Sequence, residues 1–119
     1  MKMPMIHYSE AQKLQQPPMG RAGINAWLGD VAVSRDDDKT IAAGFFRLEK
    51  SDEPLVYEYT HHQMKVIVEG SMIIKDETDY RVVARPGDVF YFIKGSVITF
   101  SSEDYGIGFF CSQRREGEG

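Results

Sequence analysis

From residue 27 to residue 113 the chain reads as a succession of short apolar, β-branched and aromatic runs, at 27–34, 40–49, 55–59, 64–68, 71–75, 81–84, 89–92, 97–100 and 107–113. Turn-forming clusters punctuate them, among them 35–39, 51–54, Glu69-Gly70, 76–79, Pro86-Gly87 and Lys94-Gly95. Short strands at this spacing, with no helix between them, predict an all-β antiparallel sandwich or barrel. One segment breaks the pattern. Ser9 with Gln12 at capping-box spacing predicts a short helix over 9–16, ended by Pro17-Pro18. The expected organisation is an N-terminal arm, short helix and linker over 1–20, one barrel domain over 21–113, and a disordered tail over 114–119.

Composition narrows the class of partner. At 119 residues the chain fits one domain with one modest core. Its formal net charge is −4, with acids spread through loops such as Asp36-Asp37-Asp38. An acidic surface argues against nucleic acid or an anionic membrane as main partner, since both recruit basic patches. The N-terminal residues lack a signal-peptide core and no apolar run is long enough to span a bilayer, so a cytoplasmic location is expected. Cys111 is the single cysteine, which rules out an internal disulfide and suits a reducing compartment. It reads as a small buried hydrophobe rather than a nucleophile.

Two segments carry further information: Tyr-Glu-Tyr-Thr-His-His-Gln-Met-Lys-Val-Ile-Val-Glu-Gly over 57–70, and Pro86-Gly87-Asp88 opening a second stretch that ends at Lys94-Gly95. Their spacing resembles the two motifs of the cupin superfamily, which place a His-x-His pair and a Glu ahead of one glycine and a further His after another. Aligned on Gly70, Gly87 and Gly95, the metal-ligand positions fall on Tyr57, Tyr59, Gln63 and Ile98. Within the superfamily the chain is similar to the ethanolamine-utilisation protein Q-like group, which shares the Glu-Gly and Gly-Asp-Val-x-x-x-x-Lys-Gly patterns. The resemblance implies a cupin jelly-roll barrel, a homodimer, a retained ligand-sized cavity, and no metal or other cofactor. Some members are associated with acetate kinase activity, but no glycine-rich phosphate loop occurs here to carry it.

Strand alternation puts Tyr57 and Tyr59 on one face, and in a cupin that face looks into the barrel. Gln63 starting the next strand inward brings Lys65 and Ile67 to the same side, with Ile98 and Phe100 opposite. A lysine held inside is a candidate for binding a carboxylate or carbonyl oxygen, for proton transfer, or for Schiff-base chemistry. The alternative is a one-residue slip of register that leaves it solvated outside. Tyr57 and Tyr59 are candidate oxyanion donors or general acids, and Gln63 an orienting group. Their hydroxyls are otherwise satisfied by backbone. Phe46, Tyr91 and Trp27 join Ile67, Ile98 and Phe100 as candidate ligand-contacting walls, or else serve as ordinary core; Trp27 also fits a dimer interface. His61 and His62 fall at the barrel mouth as candidate acid/base groups or as exposed loop residues. A shifted metal site using one of them with Glu58 or Glu69 is a further alternative. The expected function is a metal-independent isomerase, cyclase or lyase acting on an apolar or aromatic, oxygen-bearing metabolite. The alternatives are a non-catalytic metabolite-binding or regulatory cupin, and a metallo-cupin with shifted ligands.

Overall fold

The computed structural model describes residues 1–116 and 118. Among them are nine strands: β1 (Ala26–Val33), β2 (Ala42–Glu49), β3 (Leu55–Glu58), β4 (Gln63–Gly70), β5 (Met72–Lys75), β6 (Arg81–Ala84), β7 (Val89–Phe92), β8 (Val97–Ser101) and β9 (Tyr105–Ser112). Every one coincides with a predicted run to within two residues. They form a five-stranded sheet in the order β1-β2-β9-β4-β7 and a four-stranded sheet in the order β3-β8-β5-β6. All pairings are antiparallel. The result is an all-β jelly-roll barrel whose inner faces meet in one core.

Alternation explains which residues reach that core. In β2 the buried positions are Ala42, Gly44, Phe46 and Leu48, and in β4 they are Gln63, Lys65 and Ile67. Phe46, Phe92, Phe100 and Phe110 supply most of the bulk, with Leu48, Leu55, Ile67, Met72, Ile74 and Ile98 between them. Phe100 stands edge-on to both Phe46 and Phe92, at centroid separations of 5.5 and 5.7 Å. That geometry suits the quadrupoles of aromatic rings.

A bulge decides one important polarity. The β4–β9 register slips between Ile67 and Glu69, and Glu69 then pairs with Ile107. Strict alternation from Lys65 would send Glu69 inward. The slip turns it to the outer face, where it accepts hydrogen bonds from Tyr105 Oη (2.6 Å) and Gln12 Nε2 (3.0 Å). The carboxylate nearest in sequence to the buried lysine is thereby taken out of the barrel.

Two expectations for the chain ends need correction. The predicted helix over 9–16 is only a 3-10 turn, Ala11–Lys13. Glu10 adopts a left-handed conformation, no side chain caps the turn, and none of its residues is buried. A segment this short has no helix stability without packing. The second concerns the tail: Arg114, assigned there from sequence, is buried and held by Asp30. Residues 117 and 119 of the expected tail lie outside the described residues.

Candidate functional site

Tyr57, Tyr59, Gln63 and Lys65 come together as expected from the motif alignment, around one small void inside the barrel that Phe46, Phe100, Leu55, Met19, Leu28 and Arg114 complete. Tyr57 pairs with Ile98 across β3 and β8, so these two are neighbours on one wall and not opposed. Lys65 arrives from the other sheet. Tyr59 Oη donates to Gln63 Oε1 at 3.2 Å, and Gln63 Nε2 donates to Ser112 Oγ at 2.8 Å. This chain fixes the amide with its acceptor occupied by the tyrosine. Tyr59 stacks on Phe92 and packs against Tyr57, centroids 4.9 and 4.7 Å apart.

Lys65 is the unusual member. It is 4% exposed, and its Nζ lies 4.3 Å from the Phe46 ring centroid, 4.6 Å from Phe100 and 5.6 Å from Phe92. Among the described residues no carboxylate pairs with it and nothing accepts a hydrogen bond from it. Room for its stem comes from Gly108 on β9, where an added Cβ would stand 3.0 Å from Lys65 Cδ. Burial lowers the ammonium from its ordinary 10.5 to about 7. That fall corresponds to about 5 kcal/mol against the charged form. The rings recover part of it, at roughly 0.5–2 kcal/mol for each cation–π contact. Lys65 therefore changes protonation state near neutral pH.

The tyrosines play a different part. Burial raises Tyr57, against the opposing pull of Arg114 and Arg21, and raises Tyr59 well above the ordinary phenol value, with Tyr57 adding to the effect. Both stay protonated at neutral pH and serve as hydrogen-bond donors, not bases. Gln63 is neutral. Lys65 is thus the one group of the quartet that titrates near pH 7.

The mouth is built from parts that the motifs do not contain. Pro18 pairs with Trp27 as an isolated bridge, flanked by Met19 N–H to Ala26 O (2.9 Å) and Leu28 N–H to Pro17 O (3.0 Å). The arm so extends the five-stranded sheet past β1 and packs Met19 on the core. Arg114 forms a two-pronged ion pair with Asp30, Nη2–Oδ1 2.8 Å and Nη1–Oδ2 3.0 Å, while its buried Nε has no partner among the described residues. Period-two alternation could have found it: Phe110, Ser112 and Arg114 continue one inward row, as Ala26, Leu28 and Asp30 do on β1. Treating 114 as the start of the tail hid the signal.

Several candidates stand elsewhere. Tyr91 and Trp27 are of opposite parity to inward Phe92 and Ala26, so both face outward. Tyr91 is exposed, and Trp27 lines an outer groove with Phe45, Arg47 and Glu69. Ile67 and Ile98 are packed in the core without bordering the void. His62 Nδ1 accepts from Lys94 N–H at 3.1 Å and lies 2.9 Å from Tyr91 Oη, which makes it a staple between two loops. His61 is partly buried beside Thr60, and burial, then Arg114, lowers its pKa, so it is neutral at pH 7. Cys111, expected to be buried, is exposed on the outer face of β9. The cavity itself is the largest correction. The void these residues border is only about 20 Å³, because the aromatic rings and Met19 crowd it. Such a space holds a water molecule, not a metabolite.

The cupin metal positions do not fit a metal here. Tyr57, Tyr59, Gln63 and Ile98 offer no imidazole or carboxylate, and they surround a lysine ammonium. Among the described residues no three His, Cys, Asp or Glu side chains converge. A divalent transition metal requires such ligands, and Glu58 and Glu69, the carboxylates considered for a shifted site, are respectively exposed and on the outer face.

Two antiparallel sheets closed into a small barrel, with the motif strands lining its interior, define a cupin. Residues 2–111 match the family model for ethanolamine utilisation protein EutQ, and the chain belongs to that family. Similar solved structures include the EutQ protein of Clostridium difficile, 16% identical over 83% of this chain and 69% of that one, with a TM-score of 0.67. KdgF from Halomonas sp. is 17% identical over 94% and 96% of the two chains, also at 0.67. An RmlC-like cupin from Shewanella frigidimarina NCIMB 400 is 18% identical over 94% and 95%, at 0.64. These identities establish the shared fold. Comparison with curated proteins gives no match.

Proposed function

We propose that this cupin is a small-molecule enzyme of isomerase, cyclase or lyase type that works without a metal or other cofactor, with Lys65 as its proton-transfer group. The carrying observation is Lys65, 4% exposed inside the barrel and, among the described residues, without a counter-charge, so that burial lowers its pKa to about 7. Stability alone does not account for such a group, since a methionine of similar length would fill the space without the desolvation cost. A substrate oxygen placed at Lys65 would receive or surrender a proton there. Tyr57 borders the void as a neutral phenol, suited to an oxyanion that develops during the reaction, while Tyr59, whose one proton goes to Gln63, holds that amide in place. Phe46, Phe92 and Phe100 exclude water and strengthen these interactions. The substrate is an apolar or aromatic metabolite bearing oxygen. We further place the protein in the cytoplasm as a homodimer, with neither nucleic acid nor membrane as partner; no helix among the described residues is long and apolar enough to cross a membrane.

One observation favours a second reading, a metabolite-binding regulatory cupin. Among the described residues Lys65 has no partner base beside it in the chamber, because Tyr57 and Tyr59 are both held protonated. A metabolite library screened by NMR against wild type and Lys65→Met separates the two. A compound turned over by wild type, and bound more weakly and left unchanged by the variant, is the expected result. Binding without turnover by wild type transfers the protein to the regulatory reading. The catalytic proposal fails if no compound distinguishes the two proteins. Near-stoichiometric transition metal in the purified protein, by elemental mass spectrometry, would overturn the metal-free part.

A further inference from the structure

Two cavities meet at the barrel mouth. Inside is the void of about 20 Å³ around Lys65. Outside is a groove of about 560 Å³ that runs past Pro17 to Asp30 and Glu116. Met19, Leu28 and Arg114 border both spaces and form the partition between them. Leu28 sits within β1 and Arg114 is fastened to Asp30, but Met19 belongs to the arm. We propose that segment 17–19 is a removable plug, and that lifting it admits a small organic monocarboxylate whose head group binds between Lys65 Nζ and Arg114 Nε–H while its apolar body occupies the vacated mouth. The inference rests on the small-molecule reading above and names the ligand class and the way in.

The plug is weakly attached. Two backbone hydrogen bonds join it to β1, and neither belongs to the nine-stranded framework. Gly20 follows with φ +70°, and an added Cβ there would meet nothing within 4 Å, so the chain turns in open space. Segments with few backbone bonds at a sheet edge open at low cost. With Met19 withdrawn, the inner void and the groove become one space within the usual 300–1,000 Å³ of ligand sites.

The charge of the ligand follows from the inventory of the wall. Arg114 is neutralised by Asp30, yet among the described residues one buried donor, Nε–H, remains unsatisfied. Lys65, when protonated, has no ionic partner among the described residues. Arg21 lies over the Tyr57 ring at 5.7 Å and donates to Val56 O, so it adds positive potential at the rim. The other carboxylate on the groove, Glu116, is exposed. One uncompensated charge plus one orphan donor answers a monoanion with two oxygens, and the apolar surroundings of Met19, Leu28 and Leu55 answer an apolar body. A dianion would leave one charge unmatched among aromatic rings.

The Pro18–Trp27 bridge allows a direct test. They are a non-hydrogen-bonded antiparallel pair, whose usual Cα separation of about 4.5 Å lies within disulfide range. Pro18→Cys/Trp27→Cys, in a Cys111→Ser background, locks the plug when oxidised and frees it when reduced. The same polypeptide thus serves as its own folding control. Butyrate, benzoate and phenylacetate, each beside its neutral amide, and inorganic phosphate are titrated into both states by calorimetry. The expected result is carboxylate binding by the reduced form, at least tenfold weaker on oxidation, absent for the amides, and reduced at least tenfold by Lys65→Met. Equal binding in both redox states overturns the plug. Amides that bind as well as carboxylates overturn the charge assignment but leave the small-molecule reading intact, as does phosphate binding in their place. No binding by any of the three carboxylates overturns the ligand class. The small-molecule reading itself fails separately, in the library screen of wild type against Lys65→Met.

Discussion

Lys65 and Arg114 are both buried cations on the inner surface of one barrel, 4% and 5% exposed, yet their surroundings are opposite. Arg114 meets a carboxylate with two parallel hydrogen bonds, the geometry a guanidinium is shaped for. Lys65 meets only ring faces, because the β4 bulge has turned Glu69 outward. A paired charge closes the mouth and is explained by the fold. An unpaired one lowers stability, and packing alone gives no reason for it. The contrast separates a cation whose charge the fold answers from one whose charge, among the described residues, it does not.

Three substitutions probe that contrast, and Arg114→Met should have the largest effect. It deprives the partly buried Asp30 of its guanidinium, so unfolding by denaturant should show a loss of about 3–5 kcal/mol. A loss below about 1 kcal/mol would mean that the pair is no more than a surface bridge.

Lys65→Met should act in the other direction, with a gain of about 2–4 kcal/mol at pH 6, less than the full burial cost because the new side chain must still pack. Its pH dependence is the sharper signature. Below pH 7 the folded and unfolded chains both hold the Lys65 proton, and the penalty for burying the charge is present in full. From about 7, the folded value, towards 10.5, the unfolded one, the unfolded chain binds more protons, so wild-type stability rises with pH. The advantage of the methionine variant should therefore shrink steadily between pH 7 and pH 10. A difference that stays constant across that window would show that Lys65 is not held against its charge.

Tyr59→Phe should have the smallest effect, about 1 kcal/mol, from the loss of one buried hydrogen bond to Gln63. Its value lies in comparison with Lys65→Met. The tyrosine belongs to the satisfied part of the chamber, so its removal should destabilise where removal of the lysine stabilises. The thermal midpoints of the two variants at pH 6 should fall on opposite sides of wild type.

How much of this was legible beforehand depends on the period of the pattern. Side chains in strands alternate with period two, and the parity of Phe46, Gln63, Lys65, Ile67 and Phe100 sufficed to send them inward. The same rule placed Tyr57 and Tyr59 together. It also argues against Trp27 and Tyr91, whose neighbours Ala26 and Phe92 are the inward ones, whereas aromatic character alone does not distinguish the two faces. Arg114 was legible by the same alternation but was lost to an assumption about the tail. The N-terminal helix failed for a different reason. Capping chemistry favours a helix start, but a short helix also needs an apolar face against a partner, and residues 9–16 offer none.

The sequence by itself determined the strands, their antiparallel character, the family motifs and the absence of the usual metal ligands, because each is written in local composition and short-range spacing. Tertiary structure alone decided the rest. A register slip between Ile67 and Glu69 removed a carboxylate from the chamber, and a ring cluster drawn from both sheets shrank the cavity to about 20 Å³. Residues 84 positions apart joined as Asp30 and Arg114, and a linker became the plug over Lys65. These features depend on which side chains meet across the two sheets. Local spacing does not encode such meetings, since they are set by cross-strand register and by the volume left when the core has packed.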